Sequence, residues 1–208
     1  MITMKAATGL LLVALAIVLT PGPNMIYLVS RSLSQGRRAG LVSLLGTLTG
    51  FAVYMALASL GLSGVFLAVP WVYGAVRTAG AAYLFWLAWQ AVRPGGAAVF
   101  EARALPRDSA SKLYGMGLLT NLLNPKAAIV YLALIPQFID PARGGVLAQG
   151  FMLGGLQVCV SGAVNATIVM AAATVAAFLA RRPSWLRWQR RVTGALLAAV
   201  GLTLALGA

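Results

Sequence analysis

Histidine is absent from the 208 residues, and cysteine occurs once, at Cys159. Without histidine, the chain has no Ser-His-Asp or Cys-His arrangement for nucleophilic catalysis. Clustered His/Cys metal sites are excluded for the same reason. A single cysteine excludes a disulfide within the chain and a C-x-x-C redox motif. We therefore predict that the protein is not an enzyme and holds no metal and no cofactor.

Charged residues are also scarce: they make up 9% of the chain, with only three acids. Hydrophobic residues make up 61%, and the mean hydropathy is +0.89. A soluble protein has roughly 25% charged residues with which to cover its surface. The net charge of +13 would suit nucleic acid only on a soluble module with a basic face. The composition instead predicts an all-α integral membrane protein that contacts the lipid bilayer and no nucleic acid.

Six apolar stretches are long enough to be transmembrane helices of about 20 residues. They lie at 6–30, 39–62, 65–92, 114–137, 146–180 and 192–208. The loops after the first, third and fifth stretches carry three, four and five of the 16 basic residues, and the alternate loops carry none and one. Because loops rich in Lys and Arg stay in the cytoplasm, we predict both termini outside.

A polar stretch over 93–113 divides the chain into two halves, 1–92 and 114–208. Each half has three predicted spans, so the second half enters the membrane from the opposite side. The prediction is therefore two inverted three-helix repeats joined by a cytoplasmic linker. This is a common plan of secondary transporters.

The first span of each half contains a break. Proline lacks a donor N–H and clashes with the preceding turn, and both breaks combine proline with polar residues. Interrupted spans at corresponding positions of two halves point to a transporter's binding site, although a single proline more often only kinks a helix. We predict a substrate-binding or coupling site at the breaks, formed by Thr20, Pro21, Gly22, Pro23, Asn24, Asn121, Asn124, Pro125 and Lys126.

Lys126 is the most informative of these residues. It lies 13 residues into the fourth span, or ~20 Å from its start at 1.5 Å per residue. A lysine at that depth is costly and indicates function. We expect Lys126 to couple transport to protons or to hold a substrate carboxylate. The alternative is that it snorkels outward or bonds carbonyls freed near Pro125.

The breaks also place helix ends in the same region. Helix N-termini favour anions and carbonyl ends favour cations. The second half-helices begin near Asn24 and Lys126, and their N-termini are expected to receive a carboxylate. Carbonyls freed around Thr20 and Asn121 are expected to receive an ammonium.

Other polar residues are secondary candidates. Gln157 and Asn165 are spaced i, i+8, near one helical face, and are expected to bond neighbouring helices or to line the substrate path. Arg77 is expected to snorkel to the outer surface or to lie on that path. Among the acids, only Asp140 is placed, with Lys126, to exchange protons.

Two pairs of glycines match a close-packing motif of membrane helices. They are Gly46-x-x-x-Gly50 and Gly150-x-x-x-Gly154. The motif predicts close contact either within the monomer or across the face of a homodimer.

Three motifs together resemble the signatures of the LysE/RhtB amino-acid exporter family: Thr-Pro-Gly-Pro-Asn at 20–24, Asn-Leu-Leu-Asn-Pro-Lys at 121–126 and Pro-Gln-Phe-Ile-Asp-Pro at 136–141. Residues 30–40 and 79–84 also fit, so the resemblance covers essentially the whole chain. It implies efflux of amino acids or similar small metabolites, of the threonine, homoserine or leucine type, across the bacterial inner (plasma) membrane and driven by protons. Many members carry a histidine near the position of Tyr54, which makes Tyr54 another secondary candidate.

The substrate class follows from the missing acids. No carboxylate is predicted within the spans to neutralise a second positive charge, so a neutral amino acid is expected. The alternative is a cation or metal efflux protein of the same superfamily, whose sites need carboxylates, His or Cys. A membrane hydrolase would need a Ser beside Lys126, and a thiol carrier would need two cysteines.

Overall fold

The structure is a computed structural model that describes residues 2–62, 70–93, 107–180 and 183–206. Regular structure within these ranges is helical throughout, as the sequence predicts. The helices are α1 (Met4–Leu19), α2 (Pro23–Gln35), α3 (Arg37–Leu62), α4 (Pro70–Val92), α5 (Ala110–Leu122), α6 (Pro125–Ile129), α7 (Val146–Ala180) and α8 (Pro183–Leu206). Helix α6 continues as a π-helical segment, Val130–Leu134, and a 3-10 turn, Ile135–Phe138, and Pro141–Arg143 forms another 3-10 turn.

Candidate membrane spans fall into two kinds. Helices α3 and α7 are each long and apolar enough to cross a membrane over Arg37–Gly61 and Val146–Thr174. The pairs α1–α2 and α5–α6 qualify only when each pair is taken as one bent span, with bends of 55° and 54°. The described residues therefore contain two to four candidate spans, and the predicted third and sixth spans correspond to α4 and α8, which are not among them.

Helix α8 begins well before the predicted sixth span. Pro183 suits the first position of a helix because its missing N–H would have no partner there. No proline or glycine interrupts the sequence from 184 to 191. The basic residues Arg187, Arg190 and Arg191 therefore lie on a helix, where a loop was predicted.

Both predicted breaks are present, and proline accounts for their geometry. Thr20 leaves the helical region, with φ −73° and ψ 126°, because Pro21 disfavours that region for the residue before it. Helix α2 then starts with Pro23. At the second break Asn124 caps α6, accepting a hydrogen bond from the Lys126 N–H at 3.0 Å, and Pro125 takes the first helical position.

The segment after the second break is less regular than predicted. Pro136 has no N–H for the carbonyl of Leu132, so the α-helical pattern is not maintained up to it. The backbone adopts a π-helical pattern before Pro136 and a 3-10 turn around it. Single π-helical turns occur often at functional sites.

Helix α3 packs against α2, α5 and α7, while α4 packs mainly against α8. The contact between α3 and α5 depends on glycine. A Cβ at Gly46 would overlap the Tyr114 carbonyl oxygen, and one at Gly117 would overlap the Ser43 carbonyl oxygen. The two backbones approach this closely only because these side chains are absent.

The second glycine motif is also buried within the chain. A Cβ at Gly150 would lie 2.9 Å from Ser59 Oγ, and one at Gly154 would lie 2.6 Å from Met55 Cγ. Both contacts are with α3. Of the two predicted alternatives, these glycines serve packing within the monomer.

A polar cluster joins the end of α2 to the start of α5. Asp108, with 6% of its side chain exposed, accepts hydrogen bonds from Arg31 Nη1 at 2.6 Å and Gln35 Nε2 at 2.8 Å. Lys112 Nζ lies 2.7 Å from its other carboxylate oxygen. Hydrogen bonds from Lys112 and Gln35 hold the pKa of Asp108 below its ordinary value of 3.8. The sequence placed Asp108 in a loop without a role.

We expect Asp108→Asn to lower the melting temperature, because Arg31 and Lys112 lose their anionic partner. A carboxylate whose pKa is depressed in the folded protein stabilises it fully at pH values above the ordinary pKa. This stabilisation is lost as the pH falls through the pKa of the folded state. The difference between wild type and variant should therefore be full at pH 5–7 and should shrink below about pH 4. Thermal unfolding in detergent from pH 3 to 7 measures it.

Asp140→Asn is the matched control for this prediction. Asp140 pairs with the exposed Arg143, at 3.3 Å, and 49% of its side chain is exposed. Exposed pairs contribute little to stability, so this variant should melt as wild type does. Equal losses in the two variants, or a loss independent of pH, would contradict the role given to Asp108.

Candidate functional site

The two breaks meet around a buried cavity. It offers about 40 Å³ to the centres of water-sized molecules, and one water needs roughly 10–15 Å³ on this scale. Its polar lining consists of Thr20, Asn24, Asn124, Lys126, Gln157, Ser161 and Asn165, and Gly22 also lines it. Its apolar lining consists of Ile17, Val18, Met25, Phe51, Ala127 and Val130. The cavity therefore combines residues of both breaks with one face of α7.

Lys126 connects the two breaks directly. Only 9% of the residue is exposed, and its Nζ donates a hydrogen bond to the Thr20 carbonyl oxygen at 2.7 Å. That carbonyl has left the α1 hydrogen-bond pattern because the chain breaks at Pro21. The alternative expected from the sequence named carbonyls near Pro125, whereas the carbonyl that Lys126 binds belongs to the other break. The side chain does not snorkel outward.

The ammonium of Lys126 has no anion beside it among the described acids. Asp108 pairs with Arg31 and Lys112, and Asp140 pairs with Arg143. A buried charge without a counter-ion is unfavourable. The site would therefore be stabilised by an anionic group placed next to Lys126.

The start of α2 favours an anion at the same place. Gly22 caps this helix without a side-chain hydrogen bond to its first N–H groups, and such groups carry partial positive charge. A Cβ built on Gly22 would lie 3.5 Å from Lys126 Nζ. The helix end and the ammonium therefore lie at one side of the cavity.

The carbonyls predicted to receive a substrate ammonium already have protein donors. Thr20 binds Lys126, and the Asn121 carbonyl accepts the Asn124 N–H at 3.0 Å. Two other acceptors in the cavity wall, Asn24 Oδ1 and Gln157 Oε1, have no hydrogen-bond partner among the described residues. An unpartnered buried polar group costs about 1–3 kcal/mol, so these oxygens favour a ligand that donates hydrogen bonds.

Helix α7 supplies a polar stripe. Gln157 Nε2 donates to Ser161 Oγ at 2.9 Å, and Asn165 Nδ2 donates to the Ser161 carbonyl at 2.8 Å. Gln157 and Asn165 line the cavity, which was one of their two predicted roles. Sequence reasoning missed Ser161, although it lies four residues from each of them. Phe51 was also missed, and its apolar surroundings in the sequence offer no signal.

Several predicted residues act on the breaks without lining the cavity. Pro21, Pro23 and Pro125 shape the backbone. Asn121 is fully buried against Gly50, whose Cβ would lie 2.6 Å from Asn121 Oδ1, and neither atom of its amide group has a hydrogen-bond partner among the described residues.

The remaining candidates lie elsewhere. Tyr54 donates its hydroxyl to the Leu122 carbonyl at 2.7 Å and so caps the end of α5. Its ring stacks on Tyr131 with centroids 6.0 Å apart. Asp140 caps the exposed turn Pro141–Arg143 and does not line the cavity. Arg77 lies on α4, and its side chain is outside the described residues.

Two bent pairs of apolar helices that meet around a buried cavity with polar and apolar lining residues have the plan of a membrane transport protein, with its site at discontinuous helices. Comparison with known proteins gives the particular family. The chain belongs to the LysE type translocator family, whose pattern matches residues 15–208. The resemblance found in the sequence motifs is thereby confirmed.

Curated relatives include efflux proteins. A homoserine/homoserine lactone efflux protein of Salmonella typhimurium is 31% identical over 195 residues, which cover 94% of this chain and 93% of the relative. A leucine efflux protein of Enterobacter sp. is 32% identical over 131 residues, covering 61% of this chain and 60% of the relative. An uncharacterized membrane protein of Vibrio cholerae is 30% identical and covers 94% of each chain. No solved structure matches significantly.

Proposed function

We propose that this protein is a secondary transporter, and not an enzyme, that exports neutral amino acids or similar small metabolites from the cytoplasm. The observation that carries the proposal is the buried Lys126, which bridges the two broken spans at a cavity lined by polar and apolar residues. The names of the relatives from Salmonella and Enterobacter support amino-acid-type substrates. They do not favour the alternative of cation or metal efflux.

We further propose six spans arranged as two inverted three-helix repeats in a bacterial inner membrane, with both termini outside. The repeats are 1–92 and 114–208, joined by the cytoplasmic linker 93–113. The nearly equal bends of 55° and 54° at the two breaks support this pairing, and so does the distribution of basic residues. A homodimer stays a prediction.

The substrate carboxylate is assigned to the side of the cavity formed by Lys126 and the start of α2. An ammonium and free helix N–H groups both favour an anion there. The hydroxyl and amide groups on the α7 side of the cavity suit an uncharged, modestly polar substrate side chain. Nothing in the described lining would neutralise a second positive charge.

Proton coupling is assigned to Lys126, the titratable side chain in the described cavity lining. In this proposal the ammonium holds the carboxylate during export and exchanges its proton between transport steps. Intramembrane ionisable groups commonly serve as such relays.

A growth-inhibition panel of single amino acids, with and without overexpression, tests the proposed function. We expect resistance to homoserine, threonine or leucine and none to lysine, arginine or divalent metals. Uptake of the labelled substrate into inside-out vesicles should then depend on an imposed proton gradient. Selective resistance to basic amino acids would contradict the charge argument, and uptake unaffected by collapsing the gradient would contradict proton coupling.

A further inference from the structure

The cavity has two acceptor oxygens that no described protein group satisfies. Asn24 Oδ1 belongs to α2 and Gln157 Oε1 to α7, so they come from different helices. Both residues are more than nine-tenths buried, with 8% and 2% exposed. A transport site built around two such oxygens favours a ligand with several hydrogen-bond donors.

The side chain of Gln157 is hydrogen-bonded to its neighbour Ser161. Its Nε2 is engaged with Ser161 Oγ at 2.9 Å, one turn along α7, which leaves Oε1 without a partner. The amide therefore presents an acceptor, and a protonated amine with three N–H groups matches it better than a hydroxyl with one.

The other polar groups around the cavity are not available to bind that amine. The Thr20 carbonyl oxygen already accepts a hydrogen bond from Lys126 Nζ at 2.7 Å. The Asn121 carbonyl oxygen already accepts one from the Asn124 N–H. An amine beside Lys126 and the start of α2 would meet like charge. A zwitterion consequently lies with its carboxylate toward Lys126 and the start of α2, and with its ammonium toward Gln157 on α7.

We propose that Gln157 binds the ammonium group of the transported molecule and makes the protein select amino acids over the corresponding hydroxy acids. This inference rests on the proposed export of amino acids. It assigns the amine to a side-chain amide and not to the helix carbonyls expected from the sequence. The amide is neutral, so it satisfies one ammonium without attracting a second cationic group.

The test compares transport of labelled homoserine with transport of its 2-hydroxy analogue in inside-out vesicles. Wild type should prefer homoserine. Gln157→Leu removes the acceptor, so homoserine transport should fall about tenfold or more, mainly through a higher KM, because a hydrogen bond to a charged group is lost. Transport of the hydroxy analogue should change little, and the preference should largely disappear.

Two further variants separate recognition from a structural effect. Gln157→Glu keeps the shape and the acceptor, so it should retain the preference for the amine. Thr167→Val removes a hydroxyl from the exposed side of the same helix, where it bonds the Ala163 carbonyl, and should behave as wild type. Protein levels in the vesicles are measured for every variant.

The outcomes distinguish this inference from the proposed function. If Gln157→Leu lowers transport of both compounds equally, or leaves the preference unchanged, the ammonium assignment is wrong while amino-acid export stands. If wild type transports neither homoserine nor any other amino acid, the proposed function itself fails, and the assignment fails with it.

Discussion

Lys126→Met is expected to reduce amino-acid efflux to the level of cells that lack the protein, while the variant still inserts and folds. Methionine is unbranched and only one atom shorter than lysine, so most of the cavity wall is preserved. What is lost is the ammonium that bonds the Thr20 carbonyl at 2.7 Å and attracts the substrate carboxylate. Efflux from preloaded cells measures the loss, and the amount of protein in the membrane is quantified in parallel.

Stability should change much less than transport in this variant. The Thr20 carbonyl loses a partner, which costs about 1–3 kcal/mol. Against this, a buried charge without a counter-ion is removed, which is favourable. The two effects oppose each other, so a folded but inactive protein is expected.

Lys126→Arg separates the two roles given to this residue. Arginine keeps the positive charge but does not release its proton under ordinary conditions. If Lys126 both holds the carboxylate and exchanges the proton, the arginine variant should bind substrate yet show no uptake driven by a proton gradient. Lys5→Met, on an exposed lysine near the start of α1, is the control and should be fully active. Wild-type efflux from Lys126→Met would refute both roles.

Gly117→Val is expected to prevent stable folding. Even a Cβ at this position would overlap the Ser43 carbonyl oxygen, which is backbone and cannot move aside alone. Helices α3 and α5 would have to separate, and α3 also packs against α2 and α7. Overpacking usually costs about 1–3 kcal/mol, and an overlap with backbone should reach at least about 3 kcal/mol.

Gly115→Val provides the matched control. It lies two residues earlier on the same helix, and a Cβ there would meet nothing within 4 Å. Both substitutions make the same change in helix propensity, so their difference isolates the contact between α3 and α5. Yield and melting temperature in detergent measure it. Equal stability of the two variants would contradict the close approach of these helices.

Much of the architecture could be predicted because its causes are local. The breaks follow from prolines, which have no N–H to donate and which disfavour helical backbone angles for the residue before them. The shared face of Gln157 and Asn165 follows from the helical period. The start of α8 at Pro183 was not predicted, because the polar residues that follow it contain no proline or glycine to mark where a helix begins or ends.

Pairings between distant residues could not be predicted. Nothing near Lys126 in the sequence indicates that its ammonium reaches the Thr20 carbonyl, 106 positions earlier. Asp108 lies 77 positions from Arg31 and looked like a loop acid. The glycine motifs signalled close packing, but their partners depend on which helices lie side by side.

By itself, the amino-acid sequence determined that this is a helical membrane protein with two broken segments, because composition and proline act wherever the chain runs. Only the tertiary structure decided what the breaks do. It brings the two breaks together, so that Lys126 at the second break donates a hydrogen bond to the Thr20 carbonyl freed at the first. It also places Asn24 and Gln157 in the cavity wall with side-chain oxygens that have no partner among the described residues. Local patterns place residues on helices, whereas contacts between helices depend on how all of them pack at once.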